Sequence, residues 1–352
     1  MIWEFFVNLK AHVNESIFYT LTGDFEMAKT VIDTRWFLLY IFVYIFTMWD
    51  TYSLAIDINK YSQLSDRTDS PIKPFNIGAI ELNFLDPRKP WNAAFWGFVN
   101  PGLEAIYNNR LPMGFFSLII FILAVYKSNV LPAIHLTFEG KTESAGSVIN
   151  YQWFLNLPSL MLFSASSGYH DIRSTNQLFK IEQSRYLTDN YQPKNYIMPN
   201  NKKEKAMYFI STFQHSAYVE LALIELEQKG IYKGNIFAAP LDKNSITIPD
   251  VERAHKEDTS KYELAFIFGA IFMLLGSIYG FVLVWGPIIW AFIGLVLGAM
   301  LGIFISLIIK KSSWLQKKTK TEVVLIVECE NYQSELVERV LWQHKALGVT
   351  KT

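Results

Sequence analysis

Long apolar runs alternate with short polar ones along this chain, and the lengths of the runs decide what elements they can form. A helix rises ~1.5 Å per residue, so crossing a ~30 Å hydrocarbon core takes about 20 apolar residues. Five stretches meet or approach that length: Trp36 to Leu54, Met113 to Val130, Trp153 to Tyr169, Ala265 to Leu283 and Ile288 to Ile309. A further segment, Trp91 to Tyr107, is interrupted by Asn92, Asn100, Pro101 and Glu104. An ionised Glu near the bilayer centre costs at least ~2.5 kcal/mol, so this segment reads as an interfacial or re-entrant helix rather than a plain span. If it does cross, the two halves of the membrane region become inverted, a plan common in transporters.

From residue 206 the pattern changes to that of a small folded domain. MYFISTF alternates as a strand does, and HSAYVELALIELEQKG places Ala217, Leu221, Ile224 and Leu226 at helical spacing, with Gly230 as a natural stop. NIFAAPL is a second short strand, EVVLIVECE a third, and the segment Ser334 to Ala346 a second helix. Only four residues follow Gly348, too few for a full fourth strand, so an exposed sheet edge is expected there.

The chain also repeats itself. Residues 17 to 59 return 117 positions later as 134 to 176, with thirteen of 43 positions identical, among them Gly23 and Gly140, Trp36 and Trp153, Phe46 and Phe163, and Tyr52 and Tyr169. Such a match points to one ancestral unit, duplicated, in which a short polar segment precedes an apolar stretch. The resulting organisation is a first membrane repeat (1–63), a loop, interfacial or re-entrant helix and one span (64–130), a second repeat (131–181), a linker (182–205) and a small domain (206–352) interrupted by a membrane hairpin (262–309).

Composition narrows the class without naming a chemistry. At 51% hydrophobic the chain is too apolar in blocks for an ordinary soluble protein, and 32 basic residues against 32 acidic ones leave no global field that would recruit nucleic acid. A lone Cys329 excludes an internal disulfide framework and a cysteine-based metal cluster. The start MIWEFFVNLKAHVNES lacks the pattern of a cleaved signal peptide and is expected to stay on the protein. Lysines and arginines concentrate in 57–110 and 171–205, and Lys256, Lys261, Lys310, Lys311, Lys317, Lys318 and Lys320 flank the hairpin; retention of basic loops puts those segments and the small domain on the cytoplasmic side.

Two resemblances follow from particular residues. Phe213 with the helix 216–229, the NIFAAPL strand, Gly269, Gly276, Gly280, Gly286, Gly294, Gly298, Gly302 and VVLIVE at 323–328 resemble the bacterial general-stress-protein family, in which a glycine-rich hydrophobic hairpin interrupts a ferredoxin-like domain. Lys89, Pro90, Trp91, Pro101, Gly102, Leu103, Tyr107 and Asn108 resemble the two-helix membrane hairpin of other bacterial proteins, although Glu104 and Asn109 stand where that family has glycines. These resemblances imply an α-helical polytopic protein of five or six spans in the bacterial cytoplasmic membrane, carrying a small cytoplasmic α+β domain of ferredoxin-like fold.

Candidate chemistry is sparse. Gly140, Lys141 and Thr142 spell the end of a phosphate-binding loop, but His135 stands where its first glycine belongs, and only the glycine returns in the repeat. The six histidines lack metal-binding spacing, and His170 beside Asp171 is the one adjacent pair. Ser164, Ser166 and Ser167 lack the frame of a nucleophile and read as helix contacts. Glu104 with Asn100, beside the Asn-Pro-Gly break, is the candidate polar membrane site: it could line a cavity or bind an ion, or be solvated on an interfacial helix. Gly276, Gly280, Gly294, Gly298 and Gly302 form a small-residue face, serving either the partner helix of the hairpin or a subunit or pore contact. No catalytic residue, metal ligand or cofactor is expected. The expected partners are the lipid bilayer and either further copies of the chain or another membrane or cytoplasmic protein. The expected function is that of a non-enzymatic sensor, regulator or assembly scaffold, with a channel or transporter as the competing class.

Overall fold

The computed structural model describes residues 8–65, 76–77, 82–83, 87–192, 206–241, 262–309 and 322–352. Outside them lie most of the flanking cations, among them Arg67, Lys73, Lys194, Lys202, Lys203, Lys205, Lys256, Lys261, Lys310, Lys311, Lys317, Lys318 and Lys320, together with residues 1–7, His255, Trp314 and much of the 182–205 linker.

Described helices run, in chain order, α1 Val13–Leu21, α2 Phe25–Val31, α3 Thr34–Ser65, α4 Pro90–Val99, α5 Leu103–Tyr107, α6 Leu111–Ser128, α7 Val130–Phe138, α8 Thr142–Val148, α9 Tyr151–Phe154 and α10 Leu157–Tyr191. Then come α11 Ala217–Gln228, α12 Glu263–Gly280, α13 Gly286–Ile309 and α14 Ser334–Gln343. Described strands are the two-residue pair β1 Asn76–Ile77 and β2 Leu82–Asn83, then β3 Ala206–Gln214, β4 Ile236–Pro240, β5 Glu322–Glu330 and β6 Gly348–Lys351. The chain forms two compact units: one of Met1–Ala55, Lys89–Asp171 and Asp258–Ser313, the other of Ile56–Arg88, Ile172–Glu257 and Trp314–Thr352.

The first unit is helical. Among the described residues three helices are long and apolar enough to cross a membrane: α6, α12 and α13. Trp36 to Leu54 lies within the 32-residue α3. The expected single stretch Trp153 to Tyr169 is instead broken at Leu155 and Asn156. Pro158 has no N–H to give Phe154, so the helix stops and restarts with that proline in the first turn of α10, which then runs 35 residues to Tyr191.

Helix termini explain the repeated glycine. Gly23 and Gly140 both take positive φ, 86° and 79°, just after α1 and α7. In each case the glycine N–H reaches back three residues (Gly23 to the Thr20 carbonyl, 3.3 Å; Gly140 to the Thr137 carbonyl, 3.0 Å) and the next N–H reaches back five (Asp24 to Tyr19 and Lys141 to Leu136, both 2.9 Å). That is the Schellman arrangement, in which glycine satisfies the orphan carbonyls of a helix end at no steric cost. A shift of 117 carries α1 onto α7 and α2 onto α8 residue for residue. The same shift carries the Asp33 N–H to Ala11 carbonyl bond (3.2 Å) onto the Asn150 N–H to Ser128 carbonyl bond (3.0 Å).

The hairpin packs through glycine. A methyl group on Gly276 would strike the Trp290 carbonyl, on Gly294 that of Phe272, on Gly298 that of Phe268, and on Gly302 that of Leu264; on Gly280 it would lie 2.5 Å from the Pro287 α-carbon. All five glycines therefore face the other hairpin helix, and the alternative of a subunit or pore face is left without them. The opposite faces carry exposed Ile267, Ile271, Leu275, Val296, Met300 and Phe304, an apolar surface of the kind that meets lipid.

The second unit is a four-stranded antiparallel sheet in the order β4-β5-β3-β6. One strand face is inward: Phe209 and Phe213 of β3 and Val323, Leu325, Val327 and Cys329 of β5 are nearly inaccessible and share a core with Leu223 and Leu226 of α11, Leu341 of α14 and Leu187 and Tyr191 of α10. Fully burying one such side chain stabilises by about 1.5–3 kcal/mol. The expected bare edge is corrected: β6 pairs antiparallel with β3 from Thr212↔Gly348 to Phe209↔Lys351. Leu347 N–H to the Thr212 carbonyl (2.7 Å) and Thr352 N–H to the Tyr208 carbonyl (2.9 Å) extend the ladder, because a strand needs backbone partners rather than length.

Two outcomes test this packing. Gly298→Leu should lower the stability of the detergent-solubilised protein by at least about 2 kcal/mol, since the opposing carbonyl belongs to a helix that cannot yield, whereas Val296→Leu on the exposed face should leave the melting curve in place. Burial pushes the Cys329 thiol up, so this sole cysteine should resist alkylation in the native protein and react only as denaturant opens the sheet. Labelling at the rate of a free thiol without denaturant would contradict the core as described.

Candidate functional site

Pro101 sets the geometry around the candidate polar residues. A residue preceding proline is driven out of the helical region, and Asn100 accordingly caps α4 in an extended conformation, φ −152°. Gly102 then turns the chain at φ 107° into the short α5. A side chain at Gly102 would be strained twice, by that φ and by the α6 backbone, with Gly114 O 2.6 Å and Leu118 N 2.7 Å from an added methyl. On the other side, Gly97 of α4 meets the Ser164 backbone of α10 at 2.8 Å by the same measure, and Gly168 meets Glu104 Cβ at 2.7 Å. The broken helix is thus wedged between α6 and α10 with its backbone against theirs.

Glu104 is 5% exposed and Asn100 1%, so of the two expectations for Glu104 the solvated one is not met. The Glu104 carboxylate accepts the Gly102 N–H at 2.7 Å, closing one of the donors that the break leaves open. Ser164 Oγ adjoins that carboxyl. Among the described residues, Asn100 Nδ2, Asn100 Oδ1 and Ser164 Oγ have no partner in hydrogen-bonding geometry, so the cluster holds donor and acceptor capacity to spare in a dry setting.

Aromatic rings close the α3 side. Trp96 of α4 stands edge-on to Phe46 at 5.0 Å and lies 5.3 Å from Trp49, which is also 5.3 Å from Tyr107. Arg110, ahead of α6, pairs with Asp171 of α10 at 2.7 Å and is half exposed. Asp171 is therefore engaged with a cation 61 residues away rather than forming a ligand pair with its neighbour His170, whose ring edge meets Tyr169. Among the described residues no three His, Cys, Asp or Glu side chains are grouped to hold a metal ion. Gly140 and Lys141 close the end of α7 and lead into the seven-residue α8, which starts at Thr142, so a helix rather than a strand directly precedes them.

The structure brings Glu104, Asn100 and Ser164 to the broken helix and assigns Gly276, Gly280, Gly294, Gly298 and Gly302 to the hairpin alone. Sequence reasoning missed Gly97, Gly114 and Gly168 as contact points, although a glycine inside a helical pattern is itself a sign of close approach. It had no signal for the Arg110–Asp171 pair.

Chemically, the Glu104 carboxyl with the Ser164 hydroxyl beside it is suited to holding a proton or a small cation, and the buried Asn100 carboxamide belongs to the same helix break. Comparing two glycine substitutions isolates the wedge: Gly23→Ala, with open space around it, should cost only about 1 kcal/mol for its positive φ. Gly102→Ala adds the collision with α6 and should cost at least about 3 kcal/mol in a melting or denaturant series. No protein-family model, no curated protein and no solved structure matches the chain.

Proposed function

We propose that this chain is a non-enzymatic protein of the bacterial cytoplasmic membrane, a sensor, regulator or assembly scaffold whose small α+β domain binds a partner or ligand in the cytoplasm. The observation that carries the reading is the insertion of two membrane-length helices between β4 and β5, strands that pair directly from Pro240↔Val323 to Ile236↔Val327. A domain built around a membrane anchor in this way is held at the bilayer without using its own surface. Strand and helix order, with α11 after β3 and α14 after β5, and the sheet order β4-β5-β3-β6 support a ferredoxin-like arrangement. The 117-residue correspondence of helix boundaries and caps supports an internal duplication, with α3 and α10 as two further spans and a total of five or six. The excess of lysine and arginine beside the hairpin supports a cytoplasmic domain.

A second reading, an ion or small-solute channel or transporter, draws on one observation: buried Glu104 and Asn100 at a helix break, where membrane proteins hold ions and substrates. Against it stands the packing of that break, backbone to backbone on both sides.

Proteoliposomes separate the two. Under the regulatory reading, wild type and Glu104→Gln show the same proton and sodium flux as empty vesicles, and native mass spectrometry finds a foreign chain or ligand in fixed ratio to this one. Flux in the wild type that Glu104→Gln reduces at least about tenfold would replace the regulator with a channel or transporter.

A further inference from the structure

Beside the broken helix, α4, α10, α12 and α13 line an open groove of ≈ 410 Å³ whose lining is wholly apolar. We propose that it is a binding site for one acyl chain of a membrane phospholipid. This rests on the reading that α12 and α13 cross the bilayer.

The residues themselves define the slot. Ala94 of α4, Ala165 of α10 and Ala265 and Ala299 of the hairpin stand where bulkier side chains would close the gap between helices, while phenylalanines complete the walls. Small residues on four helices leave a groove that offers water no polar partner. The surrounding medium supplies the occupant. Two of the four walls are helices apolar enough to cross a membrane, so hydrocarbon chains are the solvent at that depth.

One end of the slot carries the features of a headgroup level. Trp91 stands edge-on to Tyr262 at 4.7 Å and to Tyr169 at 5.2 Å, with the two tyrosine rings 5.9 Å apart. Tryptophan and tyrosine gather where hydrocarbon gives way to headgroups, because each has an apolar body and one polar atom. Trp91 and Tyr262 also line the slot itself, so an occupying chain passes directly from the collar into the apolar walls. Exposed Lys89, two residues before Trp91, places a cation at the same end for a lipid phosphate. An apolar slot, an aromatic collar and a cation in that order match a phospholipid rather than a detached apolar molecule.

The test uses the full chain, extracted in mild detergent from membranes of phosphatidylcholine and phosphatidylglycerol, with retained lipid counted by native mass spectrometry. Wild type should keep one phospholipid per chain. Ala299→Phe, which fills the slot, should lower that occupancy at least about tenfold, and Lys89→Gln should weaken retention of phosphatidylglycerol about fivefold. A cooperative melting curve at the wild-type position checks that the helical unit of each variant is folded; should Ala299→Phe fail that check, Ala94→Leu fills the slot from α4 and takes its place. Equal lipid retention in folded variants, or retention of a free fatty acid in place of phospholipid, overturns the proposal. Extraction of the protein by alkaline carbonate is read separately: release from the membrane sinks the spanning reading, whereas retention with unchanged lipid counts sinks only the acyl-chain site.

Discussion

Contact between helix backbones, made possible where glycine removes the side chain, underlies both the hairpin and the broken helix beside it. In lipid there is no hydrophobic gain from pressing two apolar helices together, because the tails are as apolar as leucine, so association must come from van der Waals contact and hydrogen bonding at short range. The α12–α13 pair, long and apolar enough to cross a membrane, makes contact of this kind, with glycines on each helix set against the partner's backbone. Gly97, Gly102, Gly114 and Gly168 do the same around α4 and α5. One device thus serves two purposes: it seals the hairpin, and it draws α6 and α10 close enough to bury Glu104 and Asn100.

The elements related by the 117-residue shift share their C-terminal caps and differ in their environments. Gly23 and Gly140 end equivalent helices with equivalent hydrogen bonds, because a helix terminus is satisfied locally whatever lies around it. Residues along the following helices diverge: Phe46 is 5% exposed and Phe163 71%, while Tyr52 is 69% exposed and Tyr169 7%. Phe46 meets Trp96 on one side of the broken helix, and Tyr169 meets Trp91 on the other. Helices α3 and α10 thus supply different faces to a shared neighbour, an aromatic wall from α3 and a small-residue wall from α10.

The second unit joins its layers by both packing and polar contacts. Gln183 of α10, fully buried, donates to the Ser216 carbonyl and to Glu220, each at 2.9 Å, and lies 3.0 Å from His215. Tyr191 donates to Glu227 at 2.7 Å, and His344 meets Glu225 at 2.7 Å. These bonds tie α10 and α14 to α11, whose own residues are buried on two faces, Val219 and Leu223 toward the sheet core and Ala217 and Leu221 in a separate cluster. Buried polar groups that find partners rigidify such a layer, and each one left alone would be costly.

The sequence by itself determined what depends on neighbours within a few residues. Apolar run length marked α6, α12 and α13, alternation marked β3, and Pro101 with Gly102 marked a helix break, since propensity, periodicity and backbone sterics are local properties. It also carried the correspondence of Gly23 with Gly140. Tertiary structure decided the rest: that Glu104 is buried rather than solvated, that Arg110 finds Asp171, that each hairpin glycine meets the backbone of the partner helix, and that the four residues from Gly348 form a strand. Each of these depends on a partner far away in the chain, and neither composition nor spacing encodes which distant surface will arrive. A short segment becomes a strand when β3 offers an open row of N–H and carbonyl groups, and a carboxyl becomes buried when glycines on two other helices let them close around it.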